Sequence, residues 1–133
     1  MNGSTVLINI DVPDIDAATR FYCDAFSLRP GRRLDADTQE LLGFGAPVYL
    51  LRKRDGSAGA AGSARDYRRH WTPLHLDLVV PDIDAAVQRA TGAGATLEQP
   101  ATAAPFGRIA MLADPFGHGF CIVEFNEQGY DAA

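Results

Sequence analysis

The sequence is short of cysteine, of long apolar runs and of positive charge, and each shortage removes a class of function. Only Cys23 and Cys121 occur in 133 residues, too few and too far apart for a zinc-finger spacing or a disulfide framework. Each reads as a small buried apolar side chain. The apolar stretches are short, and Met1 to Thr5 lacks a basic region followed by a hydrophobic run. Neither a membrane span nor a signal peptide is expected, and the predicted compartment is the cytoplasm. Lys and Arg number 12 against 17 Asp and Glu, a net charge of −5. That balance disfavours nucleic acid and anionic membranes as partners. There is also no Ser-His-Asp order, nucleophile elbow, Gly-rich phosphate loop or dinucleotide fingerprint.

What is present is a repeat. Val12-Pro13-Asp14-Ile15-Asp16-Ala17-Ala18 returns unchanged as Val80-Pro81-Asp82-Ile83-Asp84-Ala85-Ala86, 68 positions later. Each copy follows an alternating apolar run and opens a helical pattern, so the repeated unit is strand, turn and helix. Ile8, Ile10 and Val12 align with Leu76, Leu78 and Val80 as one period-2 face, predicted to lie under the helices. The opposite face carries Leu7, Asn9 and Asp11 in the first copy and His75, Asp77 and Val79 in the second.

The first module is predicted as a strand Thr5 to Asp11, a helix capped by Asp14 with an apolar stripe of Ala18, Phe21, Tyr22, Ala25 and Phe26, then strands over Leu28 to Asp35, Gln39 to Phe44 and Pro47 to Arg54. Ser57 to Ala64 has only small side chains, which repay little of the entropy of ordering a backbone, and reads as a linker. Arg65, Arg68, Arg69 and His70 behind it read as a solvated loop end. The second module repeats the order: strand Leu74 to Val80, helix from Asp82 to a stop at Gly92 or Gly94, and strands near Thr96 to Gln99, Arg108 to Ala113 and Phe120 to Asn126. Asp114-Pro115-Phe116-Gly117-His118-Gly119 is a turn. Hydrophobic residues at 47% and charged residues at 22% fit one globular domain over 1–133, with module 1 over 4–54, a linker over 55–70 and module 2 over 71–128.

The repeat, the strands ending in Val-Pro-Asp, Arg20-Phe21-Tyr22 on the first helix and the Asp114-Pro115-Phe116-Gly117-His118-Gly119-Phe120 turn together resemble the vicinal oxygen chelate superfamily, which includes glyoxalase I, extradiol dioxygenases and the fosfomycin- and bleomycin-resistance proteins. The resemblance implies an α+β fold of two βαβββ modules with pseudo-twofold symmetry, forming a curved mixed sheet around a groove. In metal-dependent members each module offers one ligand from its first strand and one from its last: His or Gln, Glu, His and Glu. The matching positions here are Leu7, Tyr49, His75 and Cys121, of which only His75 is a standard ligand for a hard divalent metal. The resemblance therefore implies an atypical or absent metal centre.

The candidate ligand-binding residues are Asn9, Asp11, Tyr49, Trp71, His75, Asp77, Arg108 and Cys121. Asn9, Asp11, His75 and Asp77 share the strand face that the resemblance turns to the groove, either to meet a ligand or to hydrogen-bond one another. His75-Leu76-Asp77 places two potential metal ligands on one side of a strand, and a third would be needed to hold an ion. His118 and His70 lie in a turn and a loop end. Arg108 begins a strand, from which its guanidinium either clamps an anion in the groove or pairs with a nearby Asp. Trp71, Tyr49, Phe106 and Phe116 offer ring surfaces, Trp71 foremost. Cys121, between Phe120 and Ile122, reads as an inert thiol.

The function expected is binding of a small organic molecule without the usual metal or any other cofactor, in the manner of bleomycin-resistance proteins. The alternative is a lyase, isomerase or dioxygenase with a divalent metal on His75, and a third reading uses Asp11 or Asp77 as a general base. The partners expected are a small-molecule ligand and a second copy of the chain, because curved four-stranded sheets leave edges to cover.

Overall fold

A computed structural model describes residues 3–132. The chain divides between Tyr67 and Arg68 into two compact units. The first holds β1 (Ile8–Val12), α1 (Ile15–Phe26), β2 (Arg29–Asp35), β3 (Thr38–Leu42) and β4 (Val48–Arg52), with sheet order β1-β4-β3-β2. The second holds β5 (Leu76–Val79), α2 (Ile83–Ala93), β6 (Thr96–Ala104), β7 (Gly107–Ala113) and β8 (Gly119–Phe125), with order β5-β8-β7-β6. In each, the strand before the helix pairs parallel to the last strand and the other pairings are antiparallel. Both units are therefore βαβββ modules of an α+β fold, as the repeated heptapeptide predicts.

The heptapeptide sets both helix starts. The Asp14 carboxylate accepts from the amides of Asp16 and Ala17 at 3.1 and 3.0 Å, and Asp82 accepts from Ala85 at 3.2 Å, satisfying donors that the first turn leaves free. Asp16 and Asp84 follow in the first turns, where the helix dipole favours negative charge. The helices end differently. Gly94 closes α2 at φ 123, while α1 ends on Ser27, a serine held in the left-handed region at φ 55.

In the first unit Ile15, Ala18, Phe21, Tyr22 and Ala25 of α1 are buried with Leu41, Val48 and Leu50 of the sheet. In the second, Ile83 and Ala90 of α2 are buried with Ala110, Leu112 and Ile122. Each large aliphatic side chain so buried contributes about 1.5–3 kcal/mol over leaving it exposed. Ile8, Ile10, Leu76 and Leu78, predicted to be buried under the helices, are only half-buried. The parity holds, since Asp77 and Val79 are exposed while Leu76 and Leu78 are not. The difference arises because β1 and β5 are the edge strands of their sheets, and α1 packs over β2, β3 and β4 while α2 packs over β6, β7 and β8.

Ser57 to Ala64 is not the slack linker its composition suggests. Gly59 N–H donates to Ser63 O at 2.7 Å, Arg65 N–H to Ser57 O at 2.8 Å and Gly56 N–H to Arg65 O at 2.8 Å, with a bridge between Ala58 and Ala64. The Arg65 guanidinium ties this small hairpin down through Ala58 O at 2.6 Å and the Asp11 carboxylate at 2.8 Å. Backbone pairing and one long side chain supply what the small residues lack. Among the described residues no helix is long and apolar enough to cross a membrane.

Candidate functional site

The second unit gathers the polar side chains of its site by strand register. Asp77 of β5 and Cys121 of β8 are partners in the parallel pairing, so their side chains emerge side by side on one face. His75, two residues before Asp77, emerges on the same side, and its Nε2 lies 3.2 Å from Asp77 Oδ1. One ligand atom from each of His75, Asp77 and Cys121 lies within 4.8 Å of the other two. Cys121 is 6% exposed, whereas the His75 and Asp77 side chains are each 39% exposed. Burial, and then the Asp77 carboxylate beside it, push the Cys121 thiol up to about 11. The thiol is protonated at neutral pH and is not an activated nucleophile.

His75 and Cys121 line an open cleft in the second unit together with Arg69, Trp71, Thr72 and Met111. Trp71 is 70% exposed, and its ring centroid lies 6.3 Å from that of His75 with the planes tilted by 47°. Arg69 is fixed by a two-pronged contact to Glu98, Nε to Oε2 at 2.8 Å and Nη2 to Oε1 at 3.2 Å, and this partner raises the guanidinium pKa further. Its guanidinium passes over Gly119, where a Cβ would meet Nη2 at 2.4 Å. The Asp114 turn is structural. Its carboxylate accepts from the amides of Phe116 and His118 at 2.8 and 2.9 Å.

In the first unit the corresponding polar cluster is centred on Glu40, a residue without a role in the sequence reading. Its buried carboxylate accepts from Arg32 Nε at 3.1 Å, Arg32 Nη2 at 2.7 Å, the Arg32 amide at 3.0 Å and Tyr49 Oη at 3.0 Å. The Arg32 guanidinium, its amide and the Tyr49 hydroxyl hold the Glu40 carboxyl at about 2. The local signal was Gly31, since a glycine opposite a strand glutamate leaves room for the carboxylate. Tyr49, predicted to offer a ring to a ligand, is instead half-buried with its hydroxyl committed to Glu40. Asp11 is ion-paired to Arg65 at 2.8 Å and so is not a bare negative charge. Asn9 is exposed on β1 as the register partner of Tyr49.

Of its two readings, Arg108 takes the pairing with a nearby Asp rather than the anion clamp. Its Nη1 and Nη2 donate to Asp84 Oδ2 and Oδ1 at 3.0 and 3.1 Å. It alternates with Ala110 and Leu112, the buried positions of β7, and faces α2 rather than the side bearing Asp77. Of the eight predicted residues, four come together in the second unit: Trp71, His75, Asp77 and Cys121. Arg69 and Glu98, which complete the cleft, lie 29 positions apart and were legible only as a loop cation and a strand acid.

A family model described as Glyoxalase-like domain matches residues 7–123. The chain is 36% identical over 136 residues to the anthracycline biosynthesis protein DnrV of Streptomyces peucetius, covering 98% of this chain and 44% of that protein. It is 46% identical over 129 residues to an uncharacterized protein of Mycobacterium tuberculosis (strain ATCC 25618 / H37Rv), covering 87% of this chain and 76% of that one. Among solved structures, TnmS3, an antibiotic binding protein from Streptomyces sp. CB03234, superposes with a TM-score of 0.67 at 22% identity, covering 95% of this chain and 99% of that chain. The chain spans less than half the length of its anthracycline-biosynthesis relatives, and the structural likeness speaks to fold alone.

Proposed function

Because this chain belongs to the glyoxalase-like domain family, within the vicinal oxygen chelate superfamily, we propose that it binds a small ring-bearing organic molecule in the cleft of its second unit. The observation that carries this reading is Trp71. A tryptophan that is 70% exposed in a cleft also lined by Arg69, His75 and Glu98 matches the pattern of ligand sites, an aromatic wall with a few polar groups. Ring stacking on it is worth about 0.5–1.5 kcal/mol beyond area burial. The name of one similar protein supports the same reading: it belongs to anthracycline biosynthesis, and a ring-bearing molecule can stack on an exposed indole.

The residues present do not fit the metal centre usual in this superfamily. Leu7 offers no donor atom, the Tyr49 hydroxyl is spent on Glu40, and Cys121 stands where a carboxylate belongs. A hard divalent ion finds too few oxygen ligands in that set. Recognition is therefore assigned to stacking, to the His75 and Asp77 hydrogen-bonding edge and to the Arg69 wall.

Trp71 is the only tryptophan, so its fluorescence reports on the cleft without labelling. Titration with a set of cationic, neutral and anionic anthraquinones should give saturable quenching with at least one of them, together with a rise in melting temperature. The rise should shrink in Trp71→Ala and His75→Ala. Quenching that never saturates, with no thermal shift from any compound, would overturn the proposal.

A further inference from the structure

The polar groups that line the second-unit cleft are unevenly spent. Each guanidinium nitrogen of Arg69 already donates, Nε and Nη2 to Glu98 and Nη1 to the His70 carbonyl. The Thr72 hydroxyl donates to Leu74 O at 3.1 Å, and the Cys121 thiol, a weak donor, keeps its proton beside Asp77. His75 differs. Its Nε2 lies 3.2 Å from Asp77 Oδ1, while Nδ1 meets no hydrogen-bonding group among the described residues. We propose that His75 sets the specificity of this cleft: Nδ1 accepts a hydrogen bond from a hydroxyl at the edge of the bound ring, and Asp77 holds the imidazole in the tautomer that leaves Nδ1 free to accept. This rests on the ring-binding reading above and names the ligand class within it, a ring that carries a hydroxyl.

The tautomer follows from the neighbour of each ring nitrogen. A neutral imidazole carries one N–H, and the contact made by one nitrogen decides the role of the other. A carboxylate offers only lone pairs. An unprotonated Nε2 facing Asp77 Oδ1 at 3.2 Å would set two lone pairs against each other, so the hydrogen sits on Nε2 and the lone pair on Nδ1. Asp77 is thus a positioning residue for His75. Strand parity fixes the pair, because residues two apart emerge on the same side.

The placement of Trp71 says where the hydroxyl belongs. With 6.3 Å between ring centroids and a tilt of 47°, His75 stands beside the indole. A ring that stacks on Trp71 therefore brings its rim toward the imidazole. A hydroxyl on that rim suits a fixed acceptor, since its hydrogen rotates to meet the lone pair. The ordinary alternative is a His75–Asp77 ion pair in which both ring nitrogens carry hydrogen, and such a cleft would select ligand acceptors instead.

Two anthraquinones separate the readings: the hydroxymethyl and ethyl derivatives substituted at the same ring position, alike in shape and in their carbonyls and different in one hydroxyl. Trp71 quenching at about pH 8 gives the affinity of each for the full-length wild type and for His75→Phe, which keeps an aromatic ring and loses the acceptor. The hydroxymethyl-to-ethyl affinity ratio should be about three- to tenfold larger in the wild type, the worth of one hydrogen bond. The greater hydrophobicity of the ethyl group enters both ratios and cancels. Asp77→Asn should bring the ratio toward that of His75→Phe. Nitrogen NMR of the ligand-free proteins should show His75 Nδ1 bare in the wild type and partly protonated in Asp77→Asn, a change that a merely structural carboxylate would not cause. The wild-type spectrum needs neither ligand nor variant, and melting curves check that both variants fold. A wild-type Nδ1 that carries hydrogen, or the same affinity ratio in wild type and His75→Phe, would overturn the assignment and leave ring binding standing. If neither compound binds the wild type, the ring-binding reading falls and this one falls with it.

Discussion

Gly31 and Glu40 approach across β2 and β3 so closely that a Cβ on residue 31 would lie 2.5 Å from Glu40 Oε1. The missing side chain is what lets the carboxylate lie flat against β2 and take the Arg32 amide at 3.0 Å. The pairing of β2 and β3 shifts register between Pro30 and Arg33, as a bulge does when it re-aims a group. Gly31→Ala forces the carboxylate away from that amide. Overpacking of this kind costs about 1–3 kcal/mol, which should lower the melting temperature by roughly 5 °C or more. A melting curve that superposes on the wild type would show that the carboxylate relocates freely.

Glu40 also predicts an acid limit. Its carboxyl is held at about 2 in the folded chain against an ordinary 4.5. A depressed folded pKa means that the group stabilises the protein above the unfolded value and loses that contribution as pH falls through the folded one. The stability gap between wild type and Glu40→Gln should therefore be constant near neutrality and close as pH drops from about 4.5 to about 2. Urea midpoints measured across that range check it. A gap independent of pH would mean that the carboxylate is not stabilised by Arg32 and Tyr49.

The duplicated heptapeptide made the element order, both Asp N-caps and the shared face of His75 and Asp77 legible, because those features depend on neighbours along the chain. The failures were long-range. Asp11 is neutralised by Arg65, 54 positions away, and Arg69 is held by Glu98 across 29; no local pattern announces such pairs. Arg108 carried two readings, and its pairing with an Asp could have been chosen from the sequence. Ala110 and Leu112 are the apolar partners of its alternation, and extending that parity by one step turns Arg108 toward α2. Glu40 and Tyr49 share a face of neighbouring strands, but the β3–β4 register that joins them depends on a turn whose length was not evident.

Ser27 ends α1 at φ 55, a conformation that costs a residue with a Cβ roughly 1–2 kcal/mol and glycine almost nothing. Ser27→Gly should thus stabilise the chain by about 0.5–1 kcal/mol once the greater unfolded-state freedom of glycine is subtracted. A rise of a few degrees in melting temperature, with ligand response unchanged, is the expected result. A fall would show that the serine side chain contributes more than its strained backbone costs.

Gly119 and Arg69 separate stability from recognition. A Cβ at position 119 would sit 2.4 Å from Arg69 Nη2 and 2.8 Å from its Cζ, yet what it strikes is the end of a flexible side chain rather than backbone. The guanidinium can swing outward, so Gly119→Ala should leave the melting temperature within about 2 °C of wild type, as substitutions at partly exposed sites usually do. What it should lose is the two-pronged contact to Glu98 and with it the fixed position of the guanidinium in the cleft that Trp71 also lines. Arg69→Lys removes the same fork while keeping the charge. Both variants should therefore weaken a ring-bearing compound to a similar degree, about three- to tenfold, corresponding to the roughly 0.7–1.4 kcal/mol of one positioned contact. Trp71 quenching titrations on the three proteins, run beside melting curves, supply both readouts. If Gly119→Ala melts many degrees lower, the glycine serves the fold. If both variants bind with wild-type affinity, Arg69 is only a partner for Glu98 and the ligand contacts lie with Trp71 and His75.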